Sequence, residues 1–210
     1  MVVALPPLSR RGLVGGASLL LATAPALAAG APPPAPADIG NVEGGRVTFP
    51  NWKGEADKPS PPPPNPLPPG ERVGFAIVGL GRLSLEELLP AFAECKQARP
   101  VALVSGTPDK LRAVGAQYGI KPEALYSYAD FDKIADNPEV KVVYIVLPNG
   151  MHHEYVLRAA RAGKHVLCEK PMANTSAEAR EMVAACRAAG VKLMIAYRCQ
   201  YEPYNRRATD

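Results

Sequence analysis

Beyond residue 71 the chain alternates apolar runs of strand length with segments whose apolar residues recur every three or four positions. The runs fall at Val73–Val78, 101–105, 140–147, His165–Cys168 and 191–196, with a shorter one near 125–127. The run at 140–147 is nearly all apolar, as expected of a parallel strand covered on both faces. After the first run, Leu85, Leu88, Leu89 and Phe92 share one face of a helix predicted over residues 84–96. Pro108 opens a second helix at a first-turn position that tolerates proline, and the pattern carries it to Tyr118. A brief helix is predicted at 130–135, and a longer one from Asn149 to about Ala162 and Gly163. Thr175 and Glu178 have the spacing of a capping box for a helix that runs to Ala189 and Gly190. Six strand–helix units joined by short loops make an α/β, doubly wound parallel sheet over residues 71–198.

The first strand ends on Gly79-Leu80-Gly81-Arg82, and a helix follows at once. That is the strand–turn–helix opening of a Rossmann dinucleotide-binding domain. Gly79 allows the tight turn, and Gly81 removes the Cβ that would hold a pyrophosphate away from the backbone. The helix start then offers N–H groups to phosphates. The third small position is Ser84 in place of glycine, which still permits close helix–strand packing but weakens the fingerprint.

In a doubly wound sheet, ligands bind beyond the carboxyl ends of the strands. That edge gathers residues 79–82, 105–110, 147–152, 168–172, Tyr197 and Arg198. An NAD site places a carboxylate at the end of the second strand to hold the ribose hydroxyls. Here the position is Ser105, followed by Gly106, Thr107 and Lys110, with Arg112 nearby. A hydroxyl and a cation suit a 2′-phosphate, so NADP is expected in preference to NAD.

The fifth apolar run ends on Cys168-Glu169-Lys170-Pro171-Met172. Lys170 at that edge can donate a hydrogen bond to a substrate oxygen during hydride transfer, and Glu169 can orient it or cap the next turn. His152 and His153 follow Pro148 and Asn149, where one could line a pocket and the other serve as a packing partner. Neither has companions at metal-ligand spacing, and no metal is expected. The four cysteines, Cys95, Cys168, Cys186 and Cys199, show no CxxC spacing, and small buried hydrophobes are the expectation for the first three.

Composition alters the picture mainly at the N-terminus, where 16 of the 24 prolines fall within residues 1–70. Ser9-Arg10-Arg11-Gly12-Leu13-Val14 is a twin-arginine pattern; a short apolar stretch and Ala26-Leu27-Ala28 follow. Residues 1–28 therefore read as a signal for export of folded protein to the periplasm, removed before Ala29 and leaving no membrane anchor. Residues 29–70 show no periodicity, and their proline runs favour extended conformation over helix or central strand. They form either a linker or an ordered arm on a neighbouring subunit, with Phe49 and Trp52 for apolar contacts. The net charge is +4, and setting Arg10 and Arg11 aside leaves 22 basic against 20 acidic residues. With no basic stripe carrying interleaved aromatics, nucleic acid is not an expected partner.

On these motifs the chain resembles the Gfo/Idh/MocA oxidoreductases, the glucose–fructose oxidoreductase family, over about residues 72–207. The resemblance rests on residues 76–81, 102–106, 145–149 and 163–172, and on Ala196-Tyr197-Arg198-Cys199. It implies a tightly held NADP whose 2′-phosphate meets Ser105 and Lys110, with Tyr128 near the adenosine phosphate. Leu147, Pro148, Asn149 and His152 would line the nicotinamide half. Glu169, Lys170 and Pro171 would form the catalytic edge, and Arg198 would lie close to the cofactor. It also implies small sugar substrates, a ping-pong cycle on one bound cofactor, and a homo-oligomer in which the arm wraps an adjacent subunit. The family's second domain, a largely antiparallel sheet with substrate contacts, would lie beyond Asp210. On that expectation these residues bind NADP and turn over sugar poorly by themselves. A different sugar or inositol dehydrogenase, an NAD-dependent glycosidase, and a non-catalytic nucleotide-binding fragment are the other readings.

Overall fold

The structure, a computed structural model, describes residues 40–49 and 71–209, all within the compact unit formed by residues 35–210. The export signal and the proline runs lie outside the described residues.

Two sheets are present among the described residues. The larger has six parallel strands: β3 (Val73–Val78), β4 (Ala98–Val104), β5 (Leu125–Tyr126), β6 (Val142–Ile145), β7 (His165–Cys168) and β8 (Leu193–Ile195), in the order β5-β4-β3-β6-β7-β8. The chain steps outward from β3 to β5, then returns to the other side of β3 and proceeds to β8. The order therefore reverses between β3 and β6, the place where doubly wound sheets open a crevice for ligands. The helices are α1 (Leu89–Glu94), α2 (Pro108–Gln117), α3 (Asn149–Arg161), α4 (Ser176–Ala188) and α5 (Pro203–Thr209). Ala76, Ile77, Val78, Leu103, Val104, Val143 and Ile145 are fully buried. Covering a side chain as large as Ile77 or Leu103 stabilises the fold by roughly 1.5–3 kcal/mol.

Register places the site. Val78 pairs with both Val104 and Ile145, Ile145 with Cys168, and Cys168 with Ile195. The next residues, Gly79, Ser105, Val146, Glu169 and Ala196, therefore emerge along one edge of the sheet. Hydrogen bonds extend the ladder to that edge: Gly79 N donates to Val104 O (2.9 Å), Val146 N to Val78 O (2.8 Å) and Glu169 N to Ile145 O (3.0 Å).

Three expectations are corrected. The first helix is not α-helical throughout: 83–88 is a wide π-type turn in which Leu89 N donates to Ser84 O, and α1 begins after it. Pro90 supplies the reason, since it has no N–H to give and its ring crowds the carbonyl four residues back. β4 starts at Ala98, earlier than the apolar run, and its register slips where Phe75 faces Pro100 and Ala76 faces Ala102. A proline in a covered strand is tolerated at such an irregularity.

The arm also holds a hairpin that periodicity did not signal. β1 (Asn41–Glu43) and β2 (Arg46–Thr48) pair antiparallel and lie against α2 of the same chain. Gly44 and Gly45 turn between them with φ +56° and +75°, the left-handed conformation a two-residue hairpin needs.

The Thr175 capping box is formed. Its hydroxyl accepts from Glu178 N (3.2 Å), and the Glu178 carboxylate accepts from Thr175 N (3.3 Å). Thr175→Ala is expected to cost about 1 kcal/mol, read as a lower denaturant midpoint at unchanged slope.

Candidate dinucleotide-binding site

The turn after β3 is built around Gly79. Its φ is +95°, and a Cβ there would lie 2.2 Å from Val146 O, the first residue past β6. Only glycine lets the β3 and β6 ends approach this closely while the chain turns. Leu80 is fully buried beneath the turn, and Gly81 O accepts from Leu85 N (3.1 Å) to start the helical segment. Ser84, the departure from three glycines, has a function in the fold. It is fully buried and its hydroxyl donates to Gly79 O at 2.5 Å, tying the turn to the helix it leads into. Ser84→Ala leaves that carbonyl without this donor, so a loss of about 1 kcal/mol is expected in denaturant unfolding. Arg82 leads out of the turn, and its guanidinium lies 3.6 Å from Glu86.

On the β4 side, Ser105 is buried and accepts from Thr107 N at 3.4 Å, which leaves its O–H to donate elsewhere. Lys110, in the first turn of α2, is fully buried. The Phe49 ring, at the end of the hairpin, lies 5.7 Å from Lys110 Nζ and 5.2 Å from Arg82 Cζ. The arm thus returns to the cationic end of its own domain. Arg112, a further cation considered from sequence, is paired with Asp109 on the exposed face of α2.

Tyr128 packs behind Gly106, where an added Cβ would sit 3.3 Å from its ring, and it meets Tyr155 edge-on. Arg158 fixes that wall: it holds Asp132 through two nitrogens (3.0 and 3.2 Å) and Tyr128 O (3.2 Å). Arg158 lowers the Asp132 carboxyl below its ordinary range through those hydrogen bonds.

On the other side of the crevice, Leu147 is buried, while Pro148 and Asn149 are exposed at the start of α3. His152 does not present its ring to the cleft. It is fully buried, with Nδ1 2.8 Å from Pro171 O and Nε2 2.9 Å from Leu147 O. Nor does His153 face a ligand: it pairs with Glu181 of α4 at 2.8 Å. Glu169 accepts from the Tyr144 hydroxyl (2.7 Å) with one oxygen and from Lys170 N (3.3 Å) with the other. Its contact is with the lysine's backbone, so it positions the residue. Lys170 and Arg198 are exposed.

Sequence reasoning missed Tyr144. On the strand it read as one more apolar residue, although its hydroxyl reaches Glu169. Burial above all, and then Glu169, raises the Tyr144 hydroxyl well beyond the ordinary tyrosine range, so it stays a donor. Cys168 is fully buried and its thiol is pushed up to about 12, by burial first and Glu169 second. A thiol so hard to ionise is packing and not a nucleophile. Among the described residues, no group of three or more His, Cys, Asp or Glu is placed to hold a metal, and no helix is long and apolar enough to cross a membrane.

The edge therefore brings together a glycine-built turn after β3, a buried hydroxyl and a buried lysine after β4, and an exposed lysine after β7. Residues 73–197 match the family described as an oxidoreductase family with an NAD-binding Rossmann fold. An NADP-dependent D-xylose 1-dehydrogenase of Haloarcula marismortui is 38% identical over 138 residues, covering 66% of this chain and 38% of that protein. The crystal structure of an aldose–aldose oxidoreductase from Caulobacter crescentus, complexed with glycerol, superposes with TM-score 0.64 at 53% identity, over 65% of this chain and 41% of that one. A 3-ketoreductase from Actinomadura kijaniata, in complex with NADP and TDP-benzene, gives TM-score 0.60 at 27% identity, over 66% and 41%. The chain spans about two fifths of the length of each of these relatives. It belongs, through this domain, to the Gfo/Idh/MocA oxidoreductase family.

Proposed function

We propose that the chain is the NADP-binding part of a sugar oxidoreductase. The observation that carries this is the shared edge: register brings the Gly79 turn, the Ser105–Lys110 pair and Lys170 to the same carboxyl end of the sheet. The Gly79–Arg82 turn takes the pyrophosphate. Ser105 and Lys110 take the 2′-phosphate, with Tyr128 beside the adenosine, and no carboxylate occupies the end of β4 to favour NAD. Leu147, Pro148 and Asn149 border the nicotinamide half, and Arg198 closes it from the segment after β8. NADP supplies the hydride acceptor and, reduced, the donor. Lys170 donates a hydrogen bond to the sugar oxygen as its charge changes, and Glu169 holds the lysine's backbone for that task. The named activities of the relatives, on xylose and on aldoses, support a sugar as substrate.

A narrower reading follows from the aldose–aldose oxidoreductase similarity. One tightly held cofactor oxidises one sugar and reduces the next, as in glucose–fructose oxidoreductases. The twin-arginine pattern suits this, because that route carries folded protein to the periplasm with its cofactor already bound. Homo-oligomerisation belongs to the same reading. Mass spectrometry and absorbance of the protein as purified test the proposal. NADP(H) carried through purification supports it; no nucleotide, and no binding on titration, would refute it.

A further inference from the structure

Lys170 is exposed, yet the residues on either side of it are held. Glu169 is bonded to the Tyr144 hydroxyl at 2.7 Å, and Pro171 O to His152 Nδ1 at 2.8 Å. Both holding side chains are buried, Tyr144 on β6 and His152 on α3. The other ring nitrogen of His152 lies 2.9 Å from Leu147 O, so one imidazole is packed between the loop after β7 and the turn after β6 and donates to one of the two carbonyls in its neutral form. A carbonyl oxygen only accepts, so each of these contacts is a bond when the facing nitrogen carries a proton.

We infer that Tyr144 and His152 are positioning residues for Lys170, a two-point clamp that fixes the lysine's backbone against the turn bordering the nicotinamide half. This rests on the NADP reading above and assigns to His152 a different part from lining the pocket. The clamp explains why a lone exposed lysine, with a long flexible stem, can be presented at one place. Its backbone is set from below by two buried side chains on two different elements, and only the stem remains free to move. Loosening it should disturb the nicotinamide half and leave the adenosine half, across the crevice, as it was.

The test compares two ligands on the full chain: NADP, which spans the crevice, and 2′,5′-ADP, which carries only the adenosine end. Tyr144→Phe keeps the ring and removes the bond to Glu169. His152→Asn keeps a donor near the Nδ1 position, and His152→Phe removes both contacts. NADP affinity is expected to fall about threefold to tenfold in Tyr144→Phe and more in His152→Phe, with 2′,5′-ADP affinity unchanged. His152→Asn should recover part of the loss. Parallel loss of both ligands, or wild-type affinity for NADP in Tyr144→Phe and His152→Phe, overturns the clamp. Should the wild-type chain bind neither ligand, the NADP reading itself fails, and that outcome is distinct from a failed clamp.

Discussion

Lys110→Met is expected to lower NADP affinity about tenfold to a hundredfold while leaving NAD affinity nearly unchanged. The range follows from a charge-assisted hydrogen bond contributing about 1.5–3 kcal/mol, with each 1.4 kcal/mol a factor of ten. Lys110 is fully buried in the first turn of α2, with its Nζ 5.7 Å from the Phe49 ring. An ammonium there has lost most of its hydration, so a dianionic 2′-phosphate attracts it more strongly than it would in water. Methionine has nearly the same length and volume and fills the space without the charge. Packing is kept, while the contact of the ammonium with the Phe49 ring is lost, so the stability of the variant is measured alongside its affinities. The measurement is a pair of titrations, NADP and NAD, on wild type and variant, with a denaturant curve for each protein. Equal weakening of both ligands would place Lys110 in the fold and not in recognition of the 2′-phosphate.

Gly79→Ala should have the largest effect of all. The variant needs a φ of +95°, which L-residues rarely adopt, and its Cβ would meet Val146 O at 2.2 Å. The neighbour is backbone at the end of a central strand, so nothing flexible can yield. Strain of this kind costs about 1–3 kcal/mol before the clash is counted. The combined loss should exceed about 3 kcal/mol, a large fraction of a typical domain's stability. Relief of the clash would spread the β3 and β6 ends apart and open the turn proposed to take the pyrophosphate. Dinucleotide binding should therefore vanish even where the variant still folds. Denaturant unfolding together with NADP titration checks both; a variant with native stability and affinity would contradict this account of the turn.

The sheet was legible because its central strands end in runs buried on both faces. Val142–Ile145 and His165–Cys168 read as apolar runs, and the Thr175 and Glu178 spacing marks a helix start that the structure forms. What escaped has identifiable causes. Pro90 converts part of the first helix to a π-type turn, a local steric effect that apolar periodicity does not register. The hairpin signal was present in Val42 and Val47 flanking Gly44-Gly45, but proline runs on both sides drew the whole segment into one reading. For the site, residue types at strand ends located the turn, Ser105, Lys110 and Lys170. They did not show that His152 faces carbonyl oxygens, that Ser84 bonds Gly79 O, or that Tyr144 reaches Glu169. Each of those contacts joins elements whose approach depends on three-dimensional packing and not on sequence spacing.

On the proposed reading, this edge selects NADP through its 2′-phosphate. Competition on the nucleotide-stripped chain, NADP against NAD with 2′,5′-ADP as displacer, tests it most directly. NADP should bind at least about tenfold more tightly than NAD, in keeping with one charge-assisted contact, and 2′,5′-ADP should displace it. Equal or tighter binding of NAD, or no displacement by 2′,5′-ADP, would contradict it.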